Sequence, residues 1–222
     1  MKARMTFGAI GALTMTVSAT ADVINIGWFE KAGPGDIHYQ GNYAQLLSSD
    51  AEGLNNEHTR IVLDLDGLLE TLGPNWGLKS VSIIDTGENI YTSSPGADID
   101  LFRMFNVRGD IGVSYQYDGP FEYHQNETEA QWKQRVWDLD WGAGGLDVIM
   151  WLSLGNEGRL TATLGELQFA NQGDAPFELH FGEAGSPESF LVEVEVMQVP
   201  TPGALALLAM AGVLMRSRKR RI

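Results

Sequence analysis

Three Asp-x-Asp pairs, Asp64/Asp66, Asp98/Asp100 and Asp138/Asp140, are the most suggestive spacing in the chain. Residues i and i+2 of an extended strand point to the same face. Each pair would therefore present two carboxylates side by side, the beginning of a Ca²⁺ site that needs about six to eight oxygen ligands in all. None of the three continues into the spacing of an EF-hand loop. The stretch "SSPGADIDLF" (93–102) is the most pointed of them. Pro95-Gly96 suits a type II turn, which would deliver Asp98 and Asp100 to the mouth of a strand, so these two are the candidate metal ligands. The competing arrangement sets the aspartates on the wet face of a strand, with Leu65, Ile99 and Leu139 turned to the core.

Tryptophan supplies the second candidate. Trp132, Trp137, Trp141 and Trp151 fall within 20 residues. If "WDLDW" is extended, Trp137 and Trp141 share a face with Leu139. Exposed aromatic rings stack on sugar faces by apolar burial, which makes Trp137 and Trp141 candidate sugar-stacking residues. Alternatively, the same rings fill the space between two sheets. Signs of catalysis are sparse. His38, His58, His124 and His180 are dispersed, and the chain has no His-Glu-x-x-His, no Gly-x-Ser-x-Gly and no Walker-type phosphate loop. No catalytic residue is assigned, and no cofactor beyond Ca²⁺ is suggested. Acidic residues are plentiful enough for a carboxylate pair of the glycosidase kind to arise in almost any fold.

The elements that would position these residues read as strands. "FLVEVEVMQV" (190–199) alternates Val192, Val194 and Val196 with Glu193 and Glu195, and "RLTATLGELQF" (159–169) sets Leu160, Ala162 and Leu164 on one face. Further strands are predicted over 22–30, 59–67, 78–85, 110–119, 147–154 and 176–183, with Gly, Asn, Asp and Pro between them. Many short strands separated by turn signals predict an all-β, antiparallel β-sandwich or jelly-roll-like body over 22–198. A helical turn is predicted over 66–73, stopped by Gly73-Pro74, and a short helix from the capping sequence Thr128-Glu129-Ala130-Gln131. Residues 31–58, polar and Gly-rich, are predicted to be a long loop with a short helix near Tyr43 to Leu47. There is no Cys, so disulfides and thiolate metal sites are excluded.

Charge separates the body from the ends. The whole chain has a formal net charge of -14, with 15 basic and 29 acidic residues. Two of the basic residues lie in 1–21 and five in 202–222, neither segment being acidic at all. The remaining eight face all 29 acidic residues, a net charge of -21 over 22–201. Such a body repels nucleic acid and anionic membrane surfaces. At the front, Lys2 and Arg4 precede an apolar stretch from Met5 to Val17, and Ala19-Thr20-Ala21 offers the small-x-small pattern that signal peptidase cleaves. Residues 1–21 therefore read as a secretory signal, with the mature chain starting near Asp22.

The other end, 199–222, has three parts in order. Val199-Pro200-Thr201-Pro202-Gly203 halts any regular element. Gly203 to Met215 is a 13-residue uncharged run, about 20 Å long as a helix at ~1.5 Å per residue. Arg216, Arg218, Lys219, Arg220 and Arg221 close the chain, and positive charge after an apolar segment holds that end in the cytoplasm. This order resembles the PEP-CTERM sorting signal of exported bacterial proteins, with Thr201 where the family's Val-Pro-Glu-Pro motif has Glu. The resemblance covers about 24 residues and implies nothing about the body. It implies recognition by an exosortase-type transpeptidase, transient residence of the C-terminal helix in the inner membrane, processing near the Pro motif, and delivery to the cell surface or extracellular matrix beside exopolysaccharide. The expectation is thus a structural or adhesive surface protein that binds polysaccharide. The alternatives are a surface glycan hydrolase with a carboxylate pair, or a Ca²⁺-dependent carbohydrate-binding module.

Overall fold

The structure, a computed structural model, describes residues 19–33, 35–52, 58–86, 96–106, 108–119, 152–170, 177–184 and 188–199. Ala21–Val199 form one compact unit. Its strands are β1 (Thr20–Gly33), β2 (Asp36–Gln40), β3 (Gln45–Glu52), β4 (His58–Asp64), β5 (Trp76–Asp85), β6 (Asp98–Asn106), β7 (Gly109–Asp110), β8 (Val113–Asp118), β9 (Leu152–Ser153), β10 (Arg159–Gln168), β11 (Glu178–Ala184) and β12 (Ser189–Gln198). One helix, α1 (Asp66–Leu72), sits between β4 and β5. The strands form two sheets, one ordered β2-β1-β12-β5-β10-β8 and the other β3-β4-β11-β6-β7, with β9 also pairing β6. Every pairing whose register is defined is antiparallel.

The alternation read from the sequence accounts for how the sheets meet. Val192, Val194 and Val196 of β12, Leu160, Ala162 and Leu164 of β10, and Val81 and Ile83 of β5 all turn inward and are buried. They share one core with Ile61 and Leu63 of β4, Leu179 and Phe181 of β11, and Phe102 and Met104 of β6. Aromatic rings join the two layers. Phe29 of β1 and Phe190 of β12 stack at 5.2 Å, and Phe181 of the opposite sheet meets both edge-on at 5.4 and 5.5 Å. Edge-to-face geometry puts a positive ring edge against a negative ring face, which adds to the area buried. The result is an all-β sandwich, as the patterning predicted.

α1 also forms where predicted. Leu68 and Leu69 bury their side chains, and the helix stops at Gly73, whose φ of 90° suits glycine and whose amide bonds back to Leu69 and Glu70. The Asp64/Asp66 pair serves this junction. Asp64 Oδ1 accepts the amide of Asp66 at 2.8 Å, and Asp66 Oδ2 accepts the amide of Phe177 at 3.1 Å.

One expectation is overturned. Residues 31–58 are not a long loop with a helix near Tyr43 to Leu47: β1 runs on to Gly33, and β2 and β3 follow. The polar residues misled because both strands are sheet edges, where one flank and one face remain wet. The cue was Tyr39. It packs on Phe29 at 4.7 Å, and its hydroxyl donates to the carbonyls of Ile26 and Ala44. The predicted helix at Thr128, Trp137 and Trp141, and the third Asp pair lie outside the described residues, as does most of the predicted strand 147–154.

Candidate functional site

Two arrangements of polar residues stand out, one on the surface and one inside. Both sheets have six strands, and the first arrangement covers the outer face of the one that contains β12. Side chains that alternate with the core valines line up across four strands. Glu193 stands opposite Ser82, Ser82 opposite Thr161, and Thr161 opposite Gln116. The next row runs Glu195, Ser80, Thr163, Ser114. Cross-strand neighbours lie close enough to interact directly, and here they do. Ser82 and Thr161 share a hydroxyl hydrogen bond of 2.8 Å, and the Ser80 hydroxyl donates to Glu195 at 3.2 Å. Lys79 pairs with Glu195 at 2.8 Å and Arg159 with Glu193 at 2.9 Å. The face is a grid of hydroxyl, carboxamide and carboxylate groups whose charges are largely balanced in place. Ser80 and Ser82 are buried, so the groups open to a hydroxyl-rich partner at strand spacing are those of Ser114, Gln116, Thr161, Thr163, Glu193 and Glu195.

The second arrangement is a buried cluster where β1, β6 and β11 meet the start of β12. Lys31 of β1 is 1 % exposed and Glu183 of β11 is 0 % exposed. The Lys31 ammonium contacts Glu183 Oε2 at 2.7 Å and donates to the Glu183 carbonyl at 3.1 Å. Glu188, just before β12, is also buried. Its carbonyl accepts the Lys31 amide at 2.9 Å, and its Oε2 accepts the Asp98 amide at 3.0 Å. Asp98 in turn accepts the Ser153 hydroxyl of β9. Burial raises the pKa of Glu183, against the lowering effect of Lys31. Burial first, then the negative charges of Asp98 and Glu183, pushes Glu188 up to about 11.

Asp98 and Asp100 thus begin β6, at the mouth of a strand. Asp98, however, does not lie on a wet face: it is 3 % exposed. The two aspartates also depart from simple i, i+2 geometry. β11 sets Gly182 opposite Leu101 and Glu183 opposite Ile99, so the register passes over Asp100. This is a bulge, which bends the strand and re-aims its side chains. Asp100 lies over Gly182, where no Cβ intervenes. Leu65 and Ile99 do face the core. Among the described residues, no group of three or more His, Asp or Glu side chains is arranged to hold a metal ion. The buried Glu183–Glu188 pair has no open face on which a glycan chain could lie.

Gly96 has a φ of 81°, as the predicted turn requires, and its Cα lies so close to the Gly155 backbone that a side chain would collide there. Ala19 and Ala21 are exposed around the start of β1. Val199 is exposed just past β12, its amide bonded to the Asn75 carbonyl at 2.7 Å. Pro200, Thr201, Pro202, Gly203 and the basic residues from Arg216 to Arg221 lie outside the described residues. Among the described residues, no helix is long and apolar enough to cross a membrane.

Lys31, Ser153, Glu183 and Glu188 were not singled out from the sequence. Two of them carried a signal. Lys31 continues the inward phase of Phe29, and Glu183 that of Leu179 and Phe181. Opposite charges at core-facing positions of two strands point to a buried pair. Compared with models of protein families, with curated proteins and with solved structures, the chain matches none of them.

Proposed function

We propose that this is an exported bacterial surface or matrix protein with a jelly-roll-like body, structural and adhesive in role, that holds exopolysaccharide against the outer face of its β12-containing sheet. The observation that carries the reading is the registered, solvent-open grid of Ser114, Gln116, Thr161, Thr163, Glu193 and Glu195. Sugar hydroxyls both donate and accept, and a flat array of mixed donors and acceptors satisfies many of them at once. The strand orders support the jelly-roll description. From β9 to β12 the chain passes between the two sheets at every step, and β12 returns beside β1. The sequence of the two ends supports the route: a secretory signal in front, and a PEP-CTERM-like tail for an exosortase-type transpeptidase behind.

The test is made on protein recovered from the cells that produce it. The expected form is retained at the surface, has an intact mass lacking the apolar tail, and co-purifies with the cells' exopolysaccharide. The variant combining Gln116→Ala, Thr161→Ala and Thr163→Ala should be released from that polysaccharide several-fold more readily. Full-length protein in the inner membrane would sink the sorting reading. Equal retention of the variant would sink the binding face.

A further inference from the structure

Among the described residues, the buried cluster holds more carboxyls than ammonium groups. Asp98, Glu183 and Glu188 are buried, with the half-buried Asp100 beside Glu183. Lys31 is the single fully buried cation among the described residues. Among the described residues, Asp85 of β5 and Arg60 of β4 are further charged groups on the strands that adjoin this point. Asp85 is engaged by the amides of Ala97 and Glu157 at 3.1 Å each. Arg60 stands opposite Gly182, one residue before Glu183. Burying several carboxylates against one ammonium costs far more than their attraction returns, so a dry cluster of this composition is stable only if it also holds protons.

We propose that Glu183 and Glu188 form a proton-dependent clasp between the two sheets, closed while the pair keeps a proton and loosened when it is stripped. The connectivity makes loosening consequential. Lys31 belongs to the β12-containing sheet, and its side chain is bonded to β11 of the other. Glu188 leads into β12, and its carboxyl is bonded to the Asp98 amide of β6 in the opposite sheet. Both ties cross the sandwich. A second unneutralised carboxylate at this point would repel Asp98 and Glu183 and draw in water.

The sign of the pH dependence follows. Both carboxyls are held above their usual range, so the folded chain binds protons that the unfolded chain has released. The contribution is fully present below the unfolded carboxyl pKa of about 4.3. It is lost as pH rises toward the folded value, which for Glu188 is about 11. Between pH 7 and pH 9, each such proton lowers the folding constant by up to about tenfold per pH unit. Ordinary carboxylates are already ionised in this window and contribute no slope.

The experiment is a denaturant titration of the full-length chain at pH 7, 8 and 9, beside Glu188→Gln. Glutamine keeps the shape of the protonated acid and an acceptor for the Asp98 amide. The wild type should lose stability across the series, and the variant should lose about tenfold less per pH unit. Equal slopes, or a wild type that gains stability, would overturn the clasp. Infrared spectroscopy of the folded wild type gives an answer that does not depend on a variant folding. A protonated carboxyl C=O band should be present at pH 7 and disappear at alkaline pH, whereas its absence at pH 7 would refute the proposal.

Discussion

The outer face of the β12-containing sheet and the buried clasp use the same kinds of side chain to opposite effect. On the face, Lys79 with Glu195 and Arg159 with Glu193 are partly exposed pairs, with the Ser80 hydroxyl donating to Glu195 and Ser82 bonded to Thr161 beside them. In the clasp, Lys31 with Glu183 is fully buried, beside further carboxyls and the Ser153 hydroxyl. The chemistry is alike, and the dielectric is not. Water stabilises each charge on the face, so a pair adds at most about 1 kcal/mol and can be rearranged by a ligand. Inside, the effective interaction of two charges is several times stronger, and so is the cost of leaving either alone. A polar residue therefore acts here according to which phase of its strand it occupies.

The sharpest way to break the comparison is Lys31→Met. It keeps the apolar stem and removes the ammonium, leaving Glu183 buried without its counter-charge. The expected loss is about 3–5 kcal/mol, read by urea denaturation at pH 7. The loss should be smaller at pH 5, because Glu183 without Lys31 takes up a proton more readily. A loss below about 1 kcal/mol would place the pair in the same class as those on the face. A smaller effect is expected from Ser153→Ala. Asp98 then loses a hydroxyl donor inside the protein, at about 1–3 kcal/mol. Removing the Ser82 hydroxyl, which is 6 % exposed and bonded to Thr161, should cost about 1 kcal/mol by the same assay.

The fold was legible largely because period-two alternation is strong in the central strands. β5, β10 and β12 were read within about two residues of their ends, and the valines of β12 and the leucines of β10 face the core as predicted. β2 and β3 escaped because an edge strand can satisfy its backbone with water and need not be apolar. Asp98 and Asp100 were placed correctly at the start of a strand, but their spacing could not reveal the bulge that separates them. That bulge depends on how β11 pairs with β6, across some 80 residues of chain. The clasp illustrates the same limit. Phe29-x-Lys31 and Phe181-x-Glu183 each carry a charge in the core phase, yet only the pairing of the sheets makes them partners. Glu188 offered no cue at all, because it belongs to a connection and its burial is wholly tertiary.

The smallest expected effect tests the surface half of the comparison. In a double-mutant cycle of Lys79→Met and Glu195→Gln, the coupling energy should lie at about 0.2–1 kcal/mol and fall as salt is added. Glu195 also accepts the Ser80 hydroxyl, so the single change at Glu195 should cost slightly more than the change at Lys79. The same cycle for Arg159 and Glu193 should give a similar value, since the exposures of the two pairs match closely. A coupling above about 2 kcal/mol, insensitive to salt, would mean that the outer face is as dry as the interior. A hydroxyl-rich chain could not then exchange its hydrogen bonds with that face, and the polysaccharide reading would lose its binding surface.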